Sequence, residues 1–116
     1  MKILDRIVAI LMIVVLGGIH GAASPVFHGH YDMAGMWWLS GGLMFMLIGI
    51  ANLVRIASPT AAARVAAMIA NVFGLVFCVA LVPLLPLRSN PQVVLSIILF
   101  ATGLLFSLLR REATSR

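Results

Sequence analysis

The chain has 116 residues, 63% of them hydrophobic and only 9% charged, with a formal net charge of +5. Soluble domains are about half apolar and a quarter charged, so a water-soluble fold of this size could not hide so much apolar surface, and lipid is its natural solvent. The positive charge does not indicate nucleic acid, because the basic residues stand at the ends of apolar runs, without a patch or the interleaved aromatics that base stacking uses.

A spanning helix needs about 20 mostly apolar residues, and four segments are predicted to meet that need. The first covers residues 7–23. Lys2, the apolar stretch and Gly21-Ala22-Ala23 approximate a cleavable signal peptide, but Asp5 and Arg6 mix the leading charge and the stretch runs long. The segment is therefore expected to be kept as a span.

An outer loop over residues 24–35 follows. His20, His28, His30, Tyr31 and Asp32 fall in and beside it, and they include every histidine of the chain. In an extended segment His28 and His30 point to one side. With His20 or Asp32 they make a donor set suited to zinc or another divalent transition metal. The spacing matches no established metal motif. The simpler reading is a set of interfacial residues in which Asp32 caps the next helix.

The second span is predicted over residues 36–54, with Trp37 and Trp38 at the interface that indoles prefer. Gly35, Gly42 and Gly49 recur every seven residues and share one stripe, the pattern of close helix contact in membranes. A short loop, 55–61, carries Ser58-Pro59, a capping side chain ahead of a proline. The third span, 62–82, places Ala70, Gly74 and Cys78 at intervals of four and stops at Pro83. Gly49-Ile-Ala-Asn52 and Asn71-Val-Phe-Gly74 are mirror images along antiparallel neighbours. Direct packing of these helices would set Asn52 beside Asn71 and Gly49 beside Gly74, as a structural clamp or as a polar contact for a solute. The loop 83–92 ends in Asn90-Pro91, and the fourth span, 93–109, carries Ser96, Gly103 and Ser107 towards one face.

The positive-inside rule sets the orientation. With the N-terminus inside, Lys2, Arg6, Arg55, Arg64, Arg110, Arg111 and Arg116 collect on the cytoplasmic side, and only Arg88 lies outside. The expected architecture is an all-α integral membrane protein. It is a single membrane domain, 1–116, folded as a four-transmembrane-helix up-down bundle in a bacterial-type inner membrane with both termini cytoplasmic.

Chemistry has few footholds. Cys78 is the only cysteine, so no intrachain disulfide or Cys-x-x-Cys site exists. The acids are limited to Asp5, Asp32 and Glu112, and no His-Glu-x-x-His or Gly-x-Ser-x-Gly occurs. No predicted span has an acid or base in its middle, where proton-coupled transport normally needs one. The expected function is non-enzymatic: an interaction or accessory subunit, or an oligomer-forming one. Its partners would be the bilayer and itself or another membrane protein, with no cofactor. An oligomeric transporter or channel for a small solute would need a polar path, for which the Asn52/Asn71 region is the one candidate. A metal-binding protein would need the outer-loop histidines to converge.

Overall fold

The computed structural model describes residues 2–23, 32–84 and 90–109. These form four helices: α1 (Lys2–Ala23), α2 (Met33–Ala57), α3 (Ala61–Leu81) and α4 (Pro91–Leu109). All four are long and apolar enough to cross a membrane, which makes the chain a small multi-pass membrane protein by length and composition. Large apolar side chains such as Leu47, Phe73, Val76 and Ile98 face outward, as expected where the surrounding solvent is hydrocarbon.

The helices exceed their predicted limits mainly at polar ends. α1 begins at Lys2, five residues before its apolar run, and α2 continues through Arg55 to Ala57. Asp32 caps α2 as expected, accepting a hydrogen bond from the Gly35 amide at 2.7 Å. The cap of α3 is Thr60, which accepts from the Ala63 amide at 3.1 Å, and not Ser58. Ser58 instead closes α2, its amide donating to the Val54 carbonyl oxygen at 2.7 Å, and the next side-chain oxygen along the chain is that of Thr60. In α4 the proline is the first helical residue, where its missing N–H costs nothing.

α1 packs on α2, α2 on α3, α3 on α4, and α4 closes back on α1. Each seam depends on glycine. A Cβ on Gly42 would come within 2.7 Å of the Gly21 nitrogen and 2.9 Å of the Gly17 carbonyl oxygen, so α1 and α2 touch backbone to backbone. Gly49 lies against Ala9, Met12 and Ile13 of α1. It is therefore not the partner of Gly74, which faces Ile48 and Phe100. In α3 the buried positions are Ala67, Asn71, Gly74 and Cys78, while Ala70 is only partly covered. Intervals of four, three and four keep one face of a 3.6-residue helix, whereas strict intervals of four drift off it. Ser96, Gly103 and Ser107 are all buried.

α1 is not α-helical throughout. Met12–Ile19 is π-helical, and the reason lies in what α1 must touch. Asp5, Ala9, Ile13, Gly17 and Gly21 all meet α2, at strict intervals of four. In a regular α-helix each step of four overshoots one turn by about 40°, so the stripe would wind by about 160° over this span. The wider π turns hold it on one face.

Candidate functional site

Two polar features stand at opposite ends of the bundle. The first is a buried ladder linking α1, α2 and α3. Arg55, in the last turn of α2, donates from both terminal nitrogens to Asp5 of α1, Nη1 to Oδ2 at 3.1 Å and Nη2 to Oδ1 at 2.5 Å. The two side chains are only 2% and 5% exposed. Nη2 also reaches Asn52 Oδ1 at 3.4 Å, while Nε has no hydrogen-bond partner among the described residues. Asn52 Nδ2 donates to Asn71 Oδ1 at 3.2 Å, and Asn71 Nδ2 returns a bond to Asn52 Oδ1 at 3.0 Å. Each amide also donates to the carbonyl one turn back in its own helix, Ile48 or Ala67. Gly103 of α4 makes room for the pair, since a Cβ there would lie 2.6 Å from Asn71 Oδ1.

Sequence reasoning placed Asn52 near Asn71 but read Arg55 as a cytoplasmic topology residue and Asp5 as a flanking charge. The interior expected to lack ionisable groups holds a bidentate ion pair. The missed signal was phase: Arg55 follows Asn52 by three residues and continues the face of Gly42, Gly49 and Asn52. Hydrogen bonds between spanning helices average about 0.6 kcal/mol, with a ceiling near 1.7 kcal/mol, so the Asn pair alone is a modest clamp. Asn52 and Asn71 are fully buried and bonded to one another.

The second feature is a cavity of about 390 Å³ at the other end, between all four helices. Leu16, Phe45 and Cys78 form its inner part, together with Ser96 from α4. His20 stacks on Trp38 with ring centroids 4.5 Å apart and planes within 10°, and meets Phe45 edge-on at 5.5 Å. Gln92 of α4 lines the same cavity, and His20 itself joins α1 to α2 through these rings. Gly41 leaves space for the ring, as a Cβ there would sit 3.3 Å from His20 Nε2.

His20 and Asp32, two of the four metal candidates, thus have other engagements, one in an aromatic stack and one in a helix cap. His28 and His30 lie outside the described residues. Among the described residues no group of three or more His, Cys, Asp or Glu side chains could hold a metal ion. Trp37 is exposed on the bundle surface, as an interfacial indole would be, whereas Trp38 turns inward. Gly35 is buried beside its cap, and Gly42, Gly49 and Gly74 serve the helix seams already described. No family model matches the chain, and neither does any curated protein or solved structure.

Proposed function

We propose that this chain is a non-enzymatic subunit of a bacterial-type inner membrane, an up-down four-helix bundle with both termini cytoplasmic that acts by associating with itself or with another membrane protein. The observation that carries the reading is the Asp5–Arg55–Asn52–Asn71 ladder, whose groups hold one helix to the next. The glycine stripes are likewise spent inside the bundle, so association would use another surface. The face of α3 supports this. Its apolar window is the least buried of the four, at 22% against 33–39%, and Val65, Val72, Phe73 and Val76 lie open on it.

A cysteine placed on that face tests the reading. In native membranes, a Cys78→Ser/Val76→Cys protein treated with a bifunctional thiol reagent should give one discrete product. A dimer indicates self-association and a heavier adduct a partner subunit. Monomer alone from Val65→Cys, Val72→Cys and Val76→Cys, each in the Cys78→Ser background, would overturn the proposal. The orientation rests on the excess of Lys and Arg at one end. Alkaline phosphatase fused after Arg116 should accordingly be inactive, and an active fusion would reverse the assignment.

A further inference from the structure

We infer that the cavity at the His20 end binds a small uncharged aromatic molecule carrying one hydroxyl or carbonyl oxygen, taken up from the bilayer. The inference goes beyond the association proposed above and needs only the membrane setting. Size is the first argument. A volume of about 390 Å³ lies in the lower part of the about 300–1,000 Å³ range of small-molecule sites, enough for a ring system and too little for a whole phospholipid.

Charge is the second argument. Among the described residues no Asp, Glu, Lys or Arg lines the cavity, and an ion moved there from water would give up its hydration without a countercharge from them to replace it. The third is the distribution of its walls. Trp38, Phe45 and Phe77 offer ring faces and edges from α2 and α3, whereas His20, Gln92 and Ser96 supply the polar groups, the last two from the start of α4. An aromatic ring gains by offset or edge contact with such a wall, and a single oxygen on it can reach the His20–Gln92 side. Entry is the fourth. Ile19, Trp37 and Phe77 line the cavity and are also 60%, 71% and 42% exposed on the outside of the bundle. The cavity wall and the outer apolar surface are therefore continuous, and an apolar ligand can pass between them without crossing water.

The test uses the full chain in phosphatidylcholine nanodiscs, with Trp37→Phe leaving Trp38 as the sole tryptophan and 4-bromophenol as ligand and heavy-atom quencher. Quenching should saturate, and Ser96→Leu, which fills the inner part of the cavity, should weaken it by about tenfold or more. The charged analogue 4-bromobenzenesulfonate should show no saturable phase. Where Ser96→Leu fails to fold, the unmodified chain supplies the second readout: 4-bromophenol should slow modification of Cys78 by methyl methanethiosulfonate about fivefold or more. Quenching that rises linearly and equally in both proteins, with Cys78 reacting at an unchanged rate, would overturn the site. Saturable binding of the sulfonate as tight as that of the phenol would overturn the ligand class.

Discussion

Arg55→Leu should destabilise the bundle by about 3–5 kcal/mol, and Asp5→Leu/Arg55→Leu should cost far less than that single change. Removing the guanidinium takes from the Asp5 carboxylate, 5% exposed, the cation that both of its oxygens grip. Leucine at both positions removes the charge and its desolvation cost together. Asn52 then loses one donor to its carbonyl oxygen but keeps Asn71. Arg55→Lys should recover only part of the loss, because an ammonium cannot reproduce the fork that spans Oδ1 and Oδ2. Unfolding followed by circular dichroism in mixed micelles, run as a double-mutant cycle, measures the coupling. If the double exchange costs the plain sum of the two single ones, the ion pair is not a coupled unit and the ladder loses its anchor.

Gly42→Ala should be the most damaging of the glycine-to-alanine changes on the α1–α2 seam, at about 1–3 kcal/mol for a single added methyl. The new Cβ would meet three backbone atoms of α1 at 2.7, 2.8 and 2.9 Å, and backbone cannot step aside as a side chain can. Gly17→Ala would meet Met46 Cγ and, at 3.0 Å, two backbone atoms of α2, a looser backbone contact than that at Gly42, and should cost less. Gly18→Ala, whose nearest neighbour would be 3.6 Å away, should be close to neutral. Melting temperatures of the three variants give the order directly. Helix propensity favours alanine at all three positions, so a Gly18→Ala loss equal to that of Gly42→Ala would mean that contact across the seam does not decide the outcome.

The four helices were legible because apolar runs of spanning length, broken by prolines, leave little choice of structure in lipid. Asn52 and Asn71 were legible as neighbours because two mirrored tetrads encode one antiparallel contact. Asp5 and Arg55 were not, since each sits beside a helix end where charge ordinarily reports topology, and fifty residues separate them. The partner of Gly49 was misread for a related reason. A small residue announces a close approach but does not say which of two flanking helices makes it, and here α1 does. The cavity was hidden more deeply. His20 was grouped with His28 and His30 by sequence distance, whereas its stacking on Trp38 and its place beside α4 in the cavity wall depend on how α1 is phased against α2 and α4.

That phasing is set by the π-helical stretch Met12–Ile19, which works as a gear between the two ends of α1. Deleting one residue from the α-helical stretch ahead of it, between Asp5 and Met12, would turn Asp5 by about 100° relative to the rest. Asp5 would swing away from Arg55 while Gly17 and Gly21 stayed seated on Gly42. The ionic end and the aromatic end of the molecule are thus keyed separately to α2. A change of register at one need not be transmitted to the other, and the chain can vary one lock while keeping its second.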